Sequence, residues 1–269
     1  DDINWQAVNH SFKSFSFGRR IQISKFINEW SPTLKHLSQI DNSVDNRCFA
    51  CGRLNENTEH VFRCKSDRRQ EARDQALLEF QGHLSRMYTP APMAQVILKM
   101  MRKWLDGRTT TYDRLPEDDD ATRDIHLLIN RAAIHQGFIG WGHWFRGRIS
   151  KKWRDVIVFH YRERHLKERY SPALWARKTV DQLWTFYLKV WHCRNGEKYG
   201  KDKEEARELA LEAAKESVRS IYQRTQTQVS DRESRLLHRL PVDEILAWTK
   251  SHLDAYLATA EVILEQNVD

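Results

Sequence analysis

The sequence feature that most constrains the fold is a polar loop that contains three of the chain's four cysteines. Cys48 and Cys51 are separated by two residues, and Gly52 allows the backbone to reverse directly after them. Eight residues separate Cys51 from His60, and Cys64 lies four positions beyond His60, one turn along the same helix face. Three sulfurs and one imidazole at this spacing form the closed tetrahedron of a structural zinc site. The sequence therefore predicts a structural Zn²⁺ ion bound by these four side chains.

A disulfide or a group of ordinary core cysteines would fit this loop less well. A disulfide would leave one thiol of the loop unpaired and would give His60 no role. Buried core cysteines would have apolar neighbours, whereas the segment between the ligands, GRLNENTE, is polar. Metal binding would fix such a loop, because the free energy of binding adds to that of folding. Cys193 falls outside the pattern, and we expect it to be a small buried side chain on a helix.

The rest of the sequence favours helices. Six prolines and ten glycines are few for 269 residues, and apolar residues recur at helical spacing through most of the chain. The prediction is an all-α fold: a multi-helix domain with a small Cys3His zinc knuckle, at 46–65, inserted in its N-terminal part. Residues 106–120 lack apolar periodicity and are predicted to be a linker. The linker would separate a helical region at 1–105 from a helical domain at 121–269.

The sequence also limits where the protein acts and what it can catalyse. It contains no run of about 18 apolar residues, and its N-terminal segment lacks the basic start and apolar core of a signal peptide. We therefore expect an intracellular protein of the nucleus or cytoplasm, where clustered thiols stay reduced, and no membrane partner. No nucleophile–base pattern stands out, and we expect no enzymatic activity.

Positive charge is concentrated in the middle of the chain. The net charge is +7, and residues 151–200 alone carry 12 basic and 5 acidic side chains. In the overlapping segment 146–178, basic residues alternate with aromatic ones. Phosphate contacts from basic residues and base stacking on aromatic rings are how many proteins bind single-stranded nucleic acid. The candidate residues for contact with RNA or single-stranded DNA are Arg146, Arg148, Lys151, Lys152, Arg154, Arg162 and Arg164.

The aromatic residues of this segment also fit a role in the core. Trp153, Val156, Ile157 and His160 recur at the spacing of a buried helix face. We therefore expect most of the aromatic side chains to belong to the core and the basic ones to contact the polyanion. The alternative for the basic side chains is an ordinary solvated surface.

Four glycines lie just before and within this segment, at 137, 140, 142 and 147. They are not followed by Gly-Lys-Ser and not preceded by a predicted strand, so they do not form a phosphate-binding loop. We expect them instead where helices pack closely or where the chain turns sharply between two helices.

The metal-site segment CFACGRLNENTEHVFRC, at 48–64, resembles the zinc-binding segment downstream of the polymerase in many LINE-like retrotransposon reverse transcriptases. The proline usual in the first cysteine pair is absent here, whereas the Thr58-Glu59 pair before His60 fits. Two flanking segments are also similar to such proteins: RRIQISKFINEWSPT at 19–33 and HQGFIGWGHWFRGRISKKW at 135–153.

A third flanking segment, LWTFYLKVWHCRNGEKYG at 183–200, is similar to a Trp-x-x-Arg-Asn element near the C-terminus of these proteins. Tyr199 replaces the histidine that usually precedes its final glycine. The matching residues are Trp191, Arg194, Asn195 and Gly200.

The resemblance implies the C-terminal region of a retroelement polyprotein, or of a host protein derived from one. It does not imply polymerase or ribonuclease H activity, because the Tyr-x-Asp-Asp element and a set of spread carboxylates are missing. The function that follows is a non-enzymatic nucleic-acid-binding accessory region, with an upstream polymerase domain or other proteins as further partners. The alternative is a helical protein-interaction module in which zinc only stabilises the fold.

Overall fold

The structure is a computed structural model that describes residues 2–166, 170–229 and 235–266. About 70% of the chain is helical, and the described ranges contain no β-strand. Their one extended pairing is an isolated antiparallel bridge between Ile3 and Ser150. The predicted all-α fold with a Cys3His group in its N-terminal part is confirmed. Within the same ranges, no helix is both long and apolar enough to cross a bilayer.

The chain divides into two compact units, and the boundary falls between Arg194 and Asn195, inside a continuous helix. The helices that begin in the first unit are α1 Trp5–Ser14, α2 Phe17–Ile27, α3 Leu34–Ser38, α4 Thr58–Arg63, α5 Asp67–Arg86, α6 Ala91–Leu105, α7 Arg123–Ile139, α8 Trp141–Phe145, α9 Lys152–Glu163 and α10 Pro172–Tyr199. In the described part of the second unit, the named helices are α11 Lys203–Gln228, α12 Val242–Leu246 and α13 Lys250–Gln266.

The core of the first unit is rich in aromatic side chains. Five tryptophans on α8, α9 and α10 are almost completely buried. In the same core, the rings of Phe145 and Phe186 pack edge to face with their centroids 5.4 Å apart. The prediction that the aromatic residues around 141–175 mostly form core is therefore confirmed. These residues cannot also stack on nucleic-acid bases. The buried tryptophans are Trp141, Trp144, Trp153, Trp175 and Trp184.

Three of the four glycines at 137–147 serve packing or turning, as predicted, whereas Gly137 lies within α7 with open space where a Cβ would be. Gly140, at φ +100°, lies between α7 and α8 in a backbone conformation that side chains disfavour. A Cβ at Gly142 would lie 3.0 Å from Nε1 of Trp104, and a Cβ at Gly147 would lie 3.0 Å from Nε1 of Trp184. The same segment is fixed by Gln136, whose Oε1 accepts a hydrogen bond of 2.8 Å from the Ser150 amide.

The second unit has small cores of its own. Helices α11, α12 and α13 bury one cluster around Val218, Ile245 and Leu253. A second cluster lies around Ile221 and Leu264. Two of its described helices, α11 and α13, are long and carry apolar residues at helical spacing, which is why the sequence predicts them readily.

The division between 194 and 195 differs from the predicted organisation, which places a linker at 106–120. In the structure this stretch lies against α7, because the side chain of Asn130 bonds to it repeatedly. Asn130 Oδ1 accepts hydrogen bonds from the Tyr112 hydroxyl at 2.6 Å and the Leu115 amide at 2.9 Å. Its Nδ2 donates to Leu115 O at 3.0 Å. Helices on both sides of 106–120 therefore belong to the same unit.

Candidate functional site

The three cysteines and the histidine of the polar loop come together in space. Their ligand atoms all lie within 4.8 Å of one another. Cys48 Sγ is 3.8 Å from Cys64 Sγ, and Cys51 Sγ is 3.4 Å from His60 Nε2. Cys51 is exposed, and the other three side chains are buried. The sequence-predicted set is thus assembled as one cluster that could hold a metal ion.

Two local backbone features place the ligands. At the first pair, the Gly52 amide donates to Cys48 O at 2.7 Å, and Gly52 has φ +72°. The turn closes because the Cys48 amide donates to Arg53 O at 2.8 Å. At the second pair, Asn57 caps α4, its side chain accepting from the His60 amide at 2.7 Å. The helix that starts there carries His60, and its end delivers Cys64.

The electrostatics of the two buried thiols differ. Burial raises the pKa of Cys48 to about 11. Burial also acts to raise the pKa of Cys64, but hydrogen bonds from His60 and Ser66 and the charge of Arg69 outweigh it and lower this pKa to about 6. The thiol of Cys64 therefore loses its proton readily near neutral pH, whereas the thiol of Cys48 keeps its proton. A cation bound between them would favour the thiolate form of both sulfurs at neutral pH.

Beside the sulfurs lies a buried charge cluster that sequence reasoning missed. It consists of Glu56 from the metal loop, as we call residues 48–64, together with Arg69 from α5 and Arg194 from α10. The exposed fractions of these three residues are 0%, 1% and 0%. Arg194 Nη2 donates to Glu56 Oε2 at 2.5 Å, and Arg194 Nε to Oε1 at 3.3 Å. Arg69 donates to Oε1 at 3.4 Å through both terminal nitrogens. The Leu34 amide adds a further donor group at 3.1 Å.

This cluster keeps Glu56 ionised and connects it to the metal ligands. Burial acts to raise the pKa of Glu56, but the hydrogen bond and charge of Arg194, the Leu34 amide and the charge of Arg69 hold it below its ordinary value. Arg69 Nη1 also lies 3.5 Å from Cys48 Sγ. A guanidinium thus bridges the carboxylate and a sulfur ligand. The only sequence signal for this cluster is Arg194, which stands in the Trp-x-x-Arg-Asn element.

Two further side chains, His60 and Cys193, have different surroundings. His60 Nε2 faces the sulfurs, and its buried Nδ1 has no hydrogen-bond partner among the residues that the structure describes. Cys193 lies on α10 as predicted but is only half-buried, with its sulfur 3.5 Å from Arg68 O. It is not part of the metal-binding group.

The seven candidate nucleic-acid contacts do not form one surface. Arg146 is half-buried and forms an ion pair with Glu29. Arg148 is also half-buried, with Nη1 3.3 Å from His143 Nδ1. These two arginines therefore have partners within the protein. The five exposed candidates lie at or beyond the start of α9 and are Lys151, Lys152, Arg154, Arg162 and Arg164.

Four of these exposed side chains line grooves on the first unit. Lys151, Lys152 and Arg154 line a groove of about 520 Å³ together with Trp5 and other residues of α1. Arg154 and Arg162 line a second groove of about 520 Å³ along α9. Arg164, just after α9, lines neither groove. Sequence reasoning missed Trp5, since nothing in the sequence indicates that it lies beside residues about 150 positions away.

No protein-family model matches this chain, and it has no significant match among curated proteins or solved structures. What the chain does is therefore inferred from its own residues.

Proposed function

We propose that the Cys3His cluster binds Zn²⁺. In a tetrahedral zinc centre, bonds of about 2.3 Å to sulfur and about 2.0 Å to nitrogen separate two sulfurs by about 3.8 Å and a sulfur from a nitrogen by about 3.5 Å. The Cys48–Cys64 distance of 3.8 Å and the Cys51–His60 distance of 3.4 Å fit these values. The ligand set of thiolates and imidazole is also the one that zinc prefers.

The charge of the surroundings supports the same ion. Glu56, Arg69 and Arg194 together carry one excess positive charge in a buried region. A divalent cation with three thiolates and a neutral histidine carries one excess negative charge. The two charges cancel where Arg69 approaches Cys48. Buried charges persist only when they are compensated in this way.

The zinc is proposed to be structural. Four protein ligands complete the tetrahedron and leave no position for a water molecule or a substrate. Bound zinc would hold a polar loop whose residue Glu56 is a partner for helices α5 and α10. We therefore assign the chain no enzymatic activity.

Elemental analysis tests the zinc assignment. Protein purified under reducing conditions should contain one zinc per chain, and Cys51→Ser should lose it. Cys193→Ser is the matched control and should keep it, because Cys193 lies outside the cluster. Absence of zinc in the parent protein, or its full retention in Cys51→Ser, would reject the site.

For the protein as a whole, the function that fits best is a nucleic-acid-binding accessory region of a retroelement-derived protein. One observation carries the binding: Lys152 and Arg154 are exposed at the start of α9, and neither pairs with a carboxylate anywhere in the described part of the chain. Side chains in this state are available to phosphates, whose neutralisation releases counterions. RNA and single-stranded DNA are the proposed ligands.

The retroelement origin is supported by the four similar segments in the sequence. Residues from two of these segments meet in the structure. Arg194, from the Trp-x-x-Arg-Asn element, binds Glu56 of the metal loop, and its guanidinium lies 5.1 Å from the ring centre of Trp191. Gly200 ends α10 at φ +83°, where a Cβ would lie 2.3 Å from the Ala206 nitrogen. Two residues that match the Trp-x-x-Arg-Asn element, Arg194 and Gly200, thus have structural roles that other residue types would not fill.

Salt-dependent binding to unrelated single-stranded oligonucleotides tests the nucleic-acid function. The logarithm of the affinity should fall with the logarithm of the salt concentration by about 0.7 per phosphate contact. Replacing Lys152 and Arg154 with alanine should weaken binding to all oligonucleotide sequences about equally, because phosphate contacts carry no sequence information. The replacement should also reduce the steepness of the salt dependence by the amount that one to two phosphate contacts contribute.

The matched control removes two exposed charges from the second unit, with Lys203→Ala and Arg207→Ala. It should leave both affinity and slope close to those of the parent protein. An unchanged slope in the variant of Lys152 and Arg154 would reject this surface. A parent protein that binds no oligonucleotide at low salt would favour the helical protein-interaction module instead.

A further inference from the structure

The first groove brings together two distant parts of the chain. Residues 2–4 pair with residues 149–151: the Asn4 amide donates to Ile149 O at 2.9 Å, and the Lys151 amide donates to Asp2 O at 3.0 Å. His135 holds the same junction, with Nδ1 2.7 Å from Ser150 Oγ and Nε2 3.1 Å from Asp2 Oδ1. The start of α1 is therefore fixed beside the start of α9.

This junction places an exposed indole among basic side chains. Trp5, on the first turn of α1, is 48% exposed, whereas five other tryptophans of the first unit are almost completely buried. It lines the groove with Lys151, Lys152 and Arg154. Among the lining residues that the structure describes, three are basic and only Asp155 is acidic.

The groove continues along α9. Arg154 also lines the second groove, where Phe159, Arg162 and Glu163 follow. From Arg154 to Arg162 the helix rises by about 12 Å. Arg154 and Arg162 thus extend the basic side chains from Trp5 past a second, half-buried aromatic ring, in a groove that Asp155 and Glu163 also line.

We propose that this groove binds a single strand of nucleic acid, with a base stacked on Trp5 and phosphates held by Lys152 and Arg154. The inference rests on the proposed nucleic-acid-binding function and adds the groove that holds the strand and the residue, Trp5, that stacks on a base. An aromatic face beside fixed cations is the combination that single-strand binding uses. A duplex cannot satisfy it, because its bases already stack on each other and only an unstacked base offers its face. Trp5 therefore makes the groove selective for single strands over duplexes.

The experiment compares Trp5→Ala with the parent protein on a labelled single-stranded DNA, the RNA of the same sequence and the corresponding DNA duplex. Stacking on one aromatic residue changes affinity by about 5- to 150-fold. We expect a loss of this size for both single strands, little change for the duplex and an unchanged salt slope, since no phosphate contact is removed. Trp5→Phe, which keeps an aromatic face, should retain most of the affinity.

Trp30→Ala is the matched control, because Trp30 is also largely exposed but does not line this groove. It should bind like the parent protein. If Trp5→Ala binds single strands like the parent protein while the Lys152 and Arg154 variant does not, this inference fails and the proposed function stands. Equal losses for single strands and duplex, or a loss in Trp5→Phe as large as in Trp5→Ala, would also overturn it. If the parent protein binds no nucleic acid, both fail together.

Discussion

The substitution Glu56→Gln tests how much of the fold depends on the buried charge cluster. The side chain keeps its shape but loses its charge, which leaves the guanidinium groups of Arg69 and Arg194 without their carboxylate. Arg194 contributes the two hydrogen bonds of 2.5 and 3.3 Å, and the Leu34 amide contributes one of 3.1 Å. An amide nitrogen placed at either oxygen position would face at least one of these donors.

The expected cost follows from the burial of all three charged groups. Removing one partner of a buried ion pair costs about 3–5 kcal/mol, most of it from the charge left uncompensated. In the zinc-loaded protein, Arg69 still has the sulfur of Cys48 at 3.5 Å, whereas the carboxylate that Arg194 contacts at 2.5 Å is the one removed. We therefore expect Glu56→Gln to lower the free energy of unfolding of the first unit by about 3–5 kcal/mol.

Glu59→Gln is the matched control, because Glu59 lies only three positions from Glu56, in the first turn of α4. Glu59 pairs with Arg63, but its side chain is 50% exposed, and surface ion pairs contribute about 0–1 kcal/mol. Urea unfolding of the zinc-loaded proteins, followed by tryptophan fluorescence, measures both variants. Glu56→Gln should also bind zinc more weakly in competition with a coloured chelator. Equal unfolding midpoints and equal zinc affinities for the two variants would refute the reasoning.

Two further predictions concern the core of the first unit. Burial, together with the charge of Arg86, lowers the pKa of His83 to about 4 from the ordinary 6.5. Between these values the unfolded chain binds a proton that the folded protein does not, so the free energy of unfolding should fall by up to about 3 kcal/mol as the pH falls from 6.5 to 4. His83→Gln should flatten this part of the pH profile in chemical unfolding experiments, and an unchanged profile would contradict it. Gly147→Ala should destabilise the fold by about 1–3 kcal/mol, because the residue has φ +81° and the new Cβ would lie 3.0 Å from Trp184 Nε1. Thermal unfolding measures this loss, and a melting temperature equal to that of the parent protein would count against it.

The metal ligands and the helices could be predicted from the sequence because both depend on neighbours close in the chain. Cys48 and Cys51 share one turn, and His60 and Cys64 share one short helix, so residue spacing fixes each pair. Helical periodicity likewise needs only a few turns of sequence. These signals are local, and the structure confirms the helical fold and the grouping of the four side chains.

The features that the sequence did not reveal depend on distant contacts. Glu56 lies in a polar loop and looks like a solvated residue, yet its main partner is Arg194, 138 positions away. Nothing in the sequence distinguishes Arg69 from the neighbouring arginine at position 68. The unit boundary at 194/195 is hidden for a different reason, since it falls within one continuous helix and no loop marks it.

The metal loop is therefore better described as part of the first unit's core than as a separable knuckle. Its residue Glu56 stands between the second and third metal ligands in the sequence, and the position of its carboxylate depends on the conformation that the ligands impose. The carboxylate of Glu56 compensates the charge of Arg194 on α10. Arg69, the other arginine, approaches the sulfur of Cys48 and would compensate the charge of its thiolate. Because each buried charge needs another, loss of the proposed zinc ion would leave protonated or unpaired thiols beside an excess of positive charge. Under this proposal, zinc binding and the burial of Arg69 and Arg194 would stabilise each other.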